Sequence, residues 1–160
     1  MKRPVANRVR PKTLFTIGYE QAKPAAFMDE LRRAKIDLVV DTRAVAASRR
    51  AGFSKRQLAA ALNDCGIEYI HLQKLGTPAD GRKAARAGDL KALWRIYERH
   101  FRKPEAQAAF GELLELIGSN RRIALLCYCR DPRACHRSRI ATHVKKRTRV
   151  KVEDLIPPLF

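Results

Sequence analysis

Short apolar runs alternate along this chain with longer stretches whose apolar residues return every three or four positions. Thr13 to Ile17 is β-prone and stops at Gly18. Pro24 suits the first turn of a helix, and Phe27, Leu31 and Ala34 follow at near-helical spacing. Ile36 to Thr42 predicts a second strand. Its core of Leu38, Val39 and Val40 has no polar alternation, so it reads as covered on both faces. Ser54 to Cys65 predicts a helix with Ser54 and Gln57 as a capping box, Phe53 and Leu58 as a hydrophobic staple, and Gly66 as the stop. Ile67 to Leu72 is a third strand, and Gly76, Pro78, Gly81 and Gly88 read as a loop. Asp89 is placed to cap a helix whose apolar face is Leu90, Leu93, Trp94, Tyr97 and Phe101, a core stripe rather than a stacking platform. Pro104 opens a helix through Phe110, Leu113, Leu114 and Ile117 that ends at Gly118. A fourth strand, Ile123 to Cys127, leads through a polar loop to a helix from about His136 to Lys146. Val150 to Ile156 is a last short strand.

Strands alternating with helices predict an α/β domain of three layers, a mainly parallel sheet with helices on both faces, Rossmann-like in its right-handed crossovers. The 160 residues suffice for one such domain, over 13–160, behind a basic flexible arm at 1–12. Neither a dinucleotide-binding glycine motif nor a P-loop lysine motif is present.

Charge changes the picture. Lys and Arg total 34 against 16 Asp and Glu, a formal net charge of +18. Such a domain attracts polyanions at low salt, so nucleic acid held without sequence preference is an expected partner. The apolar fraction of 46% excludes a disordered basic tail. No apolar run approaches the roughly 18 residues of a membrane span, so no membrane partner is expected. Pro4 and Pro11 interrupt the basic start and no apolar stretch follows, unlike a secretion signal. Four cysteines in that setting point to a reducing, cytoplasmic location.

Ligands of open parallel sheets bind beyond the carboxyl ends of the strands. Polar and reactive residues gather where those ends must lie: Tyr19 after the first strand, Asp41, Arg43, Ser48 and Arg49 after the second, His71 after the third, and Cys127, Cys129, Cys135, His136 and Arg137 around the end of the fourth. Each has a plain structural reading too. Asp41 can be a turn former with Arg43 as its ion partner, His71 a core histidine, and Tyr19 a cover for the sheet edge. Read together they form an anion site. Tyr19, Arg43, Ser48, Arg49, His71, Cys127, Cys129 and Arg137 would bind a phosphate-bearing ligand, and Asp41, Cys135 and His136 would supply hydrolytic or transfer chemistry. Arg137 leads this set, because a guanidinium in the first turn of a helix can join the free N–H groups in gripping one anion. The alternative is a basic module that binds nucleic acid or protein without chemistry.

Two sharper readings of the cysteine segment carry less. Cys127, Cys129, Cys135 and His136 do not follow a standard zinc spacing, and neighbours Cys135 and His136 look awkward as joint ligands. No metal or cofactor is therefore expected, and the thiols are expected to stay reduced. Cys127 and Arg133 match the C-x5-R of cysteine phosphatases, but the loop between them holds Pro132 and no glycine to wrap N–H groups round an oxyanion.

Thr16-Ile17-Gly18-Tyr19, Val40-Asp41-Thr42-Arg43 with Ser48-Arg49, Tyr69-Ile70-His71-Leu72 with Leu75-Gly76-Thr77, and Leu125-Leu126-Cys127 with Cys135-His136-Arg137 occur in this order. In them the chain resembles the family known as domain of unknown function 488, from about Thr13 to Pro157. The resemblance implies a compact α/β domain and brings no settled activity. It also implies three departures: Tyr19 where the family usually has His, Cys129 where it has Glu, and Thr77 where it has a second Gly.

Overall fold

The computed structural model describes residues 12–159, in which the chain lays five parallel strands into one sheet of order β3-β2-β4-β1-β5. The elements in chain order are β1 (Thr13–Gly18), α1 (Pro24–Arg33), β2 (Leu38–Asp41), α2 (Lys55–Asp64), β3 (Glu68–His71), α3 (Ala79–Arg86), α4 (Leu90–Phe101), α5 (Pro104–Gly118), β4 (Ile123–Cys127), α6 (His136–Arg147) and β5 (Lys151–Leu155). Single 3-10 turns lie at Gln73–Leu75 and Pro132–Ala134. The basic arm read at 1–12 lies outside the described residues except for Lys12. The Lys12 ammonium donates to the carbonyls of Ile117, Gly118 and Ser119 at the carboxyl end of α5, where a cation is favoured.

Period-two alternation divides the strand side chains between two cores. Leu14, Leu38, Val40, Ile123 and Leu125 face a core with Tyr97, Phe101, Phe110, Leu113, Ile140 and Val144, from α4, α5 and α6. Phe15, Ile17, Val39, Ala124 and Leu126 face the opposite core with Phe27, Leu31, Leu58 and Leu62, from α1 and α2. The central strands β2 and β4 carry no exposed residue, as their unbroken apolar runs require. Among the described residues no helix is long and apolar enough to cross a membrane.

The structure departs from the expected elements in two places. The segment read as a loop contains α3, whose Ala, Lys and Arg residues favour a helix while leaving only Gly81 buried. A Cβ at Gly81 would stand 2.6 Å from Thr77 Cγ2 and 3.3 Å from Ile96 Cγ2 of α4, so glycine is what lets α3 pack this close to α4. The capping box at Ser54 is also absent. Ser54 Oγ donates to Ser48 O and accepts from Ser48 N, and Gln57 Oε1 accepts from Gly52 N. These side chains close the loop before α2 instead of capping the helix. Asp89 does cap α4, accepting from Ala92 N at 3.0 Å.

The connections place the site. Neighbouring strands β1 and β4 leave the sheet in opposite senses, β1 through α1 on one face and β4 through α6 on the other. Their carboxyl ends therefore flank the crevice at which ligands of open α/β sheets collect.

Candidate functional site at the carboxyl edge of the sheet

Asp41 ends β2 and Arg43 follows two residues on, both with side chains toward the α1 and α2 face. Asp41 is fully buried and holds Arg43 by a fork, with Nε at 2.9 Å from Oδ1 and Nη2 at 2.7 Å from Oδ2. Arg43 N and the Tyr69 hydroxyl donate to the same carboxylate. Arg43 Nη1 donates to Tyr19 OH at 3.1 Å and to Phe53 O at 2.7 Å. Burial disfavours the Arg43 charge, but the hydrogen bonds and charge of Asp41 outweigh it and raise its pKa above the ordinary arginine value. Burial, reinforced by the bond to Asp41, raises Tyr69 above the ordinary tyrosine range. His71 Nε2 donates to Arg43 O at 2.7 Å. Arg43 is thus a hub that fastens the loop after β2, and Asp41 is what orients it.

Thr42, between these two, points the other way. Its hydroxyl donates to Leu126 O at 2.8 Å, and its carbonyl accepts from His136 Nε2 at 2.9 Å. A carbonyl only accepts, so Nε2 carries the ring proton and Nδ1 keeps a lone pair, 3.9 Å from Cys135 Sγ. Burial of the ring pushes the His136 pKa down to about 4 and keeps it neutral.

Arg137, in the first turn of α6, has no exposed surface. Its Nε donates to Thr16 Oγ1 and its Nη1 to Cys127 Sγ, each at 3.2 Å. Nη1 also donates to Cys129 O, and Nη2 donates to Arg130 O at 3.2 Å. Thr16 in turn donates to Asp154 of β5. The guanidinium therefore pins the β4–α6 loop over the end of β1, where Glu20 N also bonds Tyr128 O at 2.9 Å. Gly18 is required there, because a Cβ would run into the backbone of Cys129.

The sulfurs of Cys127, Cys129 and Cys135 converge within 4.8 Å of one another. Cys127 and Cys135 are joined sulfur to sulfur with Cα atoms 7.6 Å apart, which corrects the expectation that all these thiols stand free. Cys65 and Cys129 are the free cysteines. Burial, the larger effect, pushes the Cys129 thiol above its ordinary range against the pull of Arg137. Arg133 of the C-x5-R match turns to solvent with its side chain 89% exposed and pairs with Asp131 at 3.1 Å, so it does not cradle Cys127.

The predicted residues thus share an edge but form back-to-back groups rather than one pocket. Tyr19, Asp41, Arg43 and His71 build one. Cys127, Cys129, Cys135, His136 and Arg137 build the other, and Thr42 joins them. Ser48 and Arg49 lie in the loop outside, with Ser48 Oγ accepting from Arg50 N and Arg49 exposed. Both leading arginines differ from expectation in the same way: their nitrogens bond atoms of the chain itself, because each is buried beneath a loop that offers carbonyls. Tyr69, Thr16, Thr42 and Asp154 enter these networks without being foreseen. The available signal was a threonine inside each of two apolar strand ends, since a fully buried hydroxyl must find a partner.

The profile of the family described as "Domain of unknown function DUF488" matches residues 23–144. The chain belongs to the DUF488 family. The matched stretch runs from the start of α1 almost to the end of α6, narrower than the resemblance read from the motifs, which began in β1 and reached past β5. It includes the Asp41–Arg43 hub and the whole cysteine segment of this DUF488 domain. No curated protein and no solved structure matches the chain.

Proposed function

We propose that this DUF488 protein binds a phosphate-bearing ligand, a nucleotide or a stretch of nucleic acid, along the carboxyl edge of its sheet. The contacts come from the outer rim, and the buried arginines hold that rim in shape. The observation that carries this reading is Tyr128. It follows β4 directly, stands beside the β1–β4 crevice, is 50% exposed, and leans edge-on against Tyr19 with ring centroids 5.3 Å apart. An exposed aromatic ring held by a second ring offers a base a face to stack on. Exposed Arg49 and Arg133, on the loops either side, supply cations, and the net charge of +18 supplies the long-range attraction. Asp41 has every oxygen engaged by Arg43 and Tyr69, which favours binding without chemistry at that carboxylate.

The test is fluorescence anisotropy of a labelled single-stranded oligonucleotide, with nucleoside triphosphate as competitor. Binding should weaken steeply between about 50 and 200 mM salt, as counterion release demands. Tyr128→Ala should weaken it a further tenfold or so, the loss of about 1–3 kcal/mol of stacking. Binding that ignores both salt and Tyr128→Ala contradicts the proposal, as does no binding at the lower salt.

A further inference from the structure

We propose that Cys127, Cys129 and Cys135 form a zinc site once the Cys127–Cys135 pair is reduced, with His136 Nδ1 moving in from beside Cys135 as fourth ligand. The sulfurs already lie within 4.8 Å of one another, drawn from the end of β4, the following loop and the residue that starts α6. Cys127 and Cys135 are each 1% exposed and Cys129 is partly buried, so an ion here would be shielded from water. The Cα atoms of Cys127 and Cys135 stand 7.6 Å apart, wider than the roughly 4.4–6.8 Å a disulfide usually spans. That backbone spacing suits sulfurs facing a shared ion better than a direct link.

His136 supplies the independent observation. Its Nε2–H is held by Thr42 O at 2.9 Å, and its Nδ1 lies 3.9 Å from Cys135 Sγ. Metal-binding histidines are ordinarily fixed in this way, one ring N–H on a carbonyl and the other nitrogen toward the ion. Sulfur and nitrogen ligands at about 2.3 and 2.0 Å from a tetrahedral zinc are about 3.6 Å apart. The Cys135 Sγ–His136 Nδ1 pair is close to that separation, while His136 lies outside the group within 4.8 Å that the three sulfurs form, so its ring shifts toward Cys127 and Cys129 when the metal binds. Cys135 has an extended backbone (φ −128°, ψ 142°) while His136 begins the helix, which removes the objection raised by their adjacency in sequence.

Charge selects the ion. Three thiolates with a divalent cation leave one negative charge, and the buried Arg137 guanidinium, 3.2 Å from Cys127 Sγ, cancels it. A cuprous ion would leave a net negative charge in a site removed from water, which is costly. Formation is balanced as follows. Two molecules of a low-molecular-weight thiol become one disulfide, and Cys127 and Cys135 each gain one electron and one proton. Zinc then displaces the protons of the three thiols. Its ligands Cys127 and Cys129 flank Tyr128 in the chain, so the site adjoins the Tyr128 rim, and its consequence is to clamp the β4–α6 loop that carries that ring.

The full chain, reduced under anaerobic conditions and desalted, is titrated with zinc against a chromophoric chelator, and with cobalt(II) to read visible bands. One tightly held zinc per chain is expected, with cobalt bands of tetrahedral thiolate type. Cys129→Ser and His136→Ala should each lower zinc affinity at least about tenfold, while Cys65→Ser should not change it. Circular dichroism checks folding. If His136→Ala does not fold, the partly exposed Cys129 still decides. No stoichiometric zinc in the reduced protein overturns the proposal. So do equal affinities for Cys129→Ser and Cys65→Ser, or retention of cuprous ion in preference to zinc. Oligonucleotide binding is measured separately on the zinc-free and the zinc-loaded parent chain, so failure of the metal site and failure of the binding proposal are read apart.

Discussion

Asp41 exposes no surface, and its carboxylate accepts from Arg43 N, Nε and Nη2 and from the Tyr69 hydroxyl. That density of donors assigns it to orienting Arg43. The sequence showed an Asp two residues before an Arg at a strand end, enough to foresee the pair. It could not show that Tyr19, Phe53 and His71 would close round Arg43, because those partners come from three other segments. Asp41→Asn keeps the shape but leaves the guanidinium buried without its counter-charge. Breaking a buried pair from one side typically costs about 3–5 kcal/mol. Urea unfolding should show a loss of that order, against about 1 kcal/mol for Tyr69→Phe, which removes a single hydrogen bond. Equal small losses for both variants would mean that Asp41 does not carry the network.

At the scale of elements, periodicity located every strand and the helices with a strong apolar face. β2 and β4 were legible because a parallel strand buried on both faces needs an unbroken apolar run. α3 was not, because it buries only Gly81 and so shows no apolar stripe. Cap residues were half legible: Ser54 and Asp89 both precede helices, but a hydroxyl or carboxylate can serve either the helix or the loop before it. Asp89 serves its helix by accepting from Ala92 N, whereas Ser54 binds Ser48 on both its N–H and its carbonyl. Asp89→Ala should cost about 1 kcal/mol in chemical unfolding. Ser54→Ala should instead raise amide exchange across residues 48–52, leaving the interior of α2 protected. Faster exchange confined to the first turn of α2 would restore the capping role.

For the whole molecule, the all-parallel sheet brings its five strand ends to one edge, four of them carrying the residues read as a site, and the alternation of strands and helices in the sequence allowed this. Period-two alternation through the end of β2 turns Arg43 toward the α1 and α2 face, whereas Arg137 comes from α6 on the opposite face. The same burial makes stability depend on alkaline pH. Burial raises Tyr97 above the ordinary tyrosine range, helped by the Glu98 carboxylate, and it raises Tyr69, helped by the bond to Asp41. Above the ordinary value of about 10 the unfolded chain releases these protons while the folded chain keeps them. Stability is therefore full below that pH and falls as pH rises through it, by up to about 1.4 kcal/mol per pH unit for each tyrosine. Tyr97 also donates to Leu75 O at 2.9 Å, joining α4 to the turn after β3. Tyr97→Phe should thus cost about 1 kcal/mol at neutral pH and yet make the alkaline slope measurably shallower. Urea midpoints measured from about pH 8 to 11 read both effects in one series. If the variant and the parent lose stability in parallel above pH 10, Tyr97 keeps no proton that the unfolded chain gives up, and the alkaline decline has another origin.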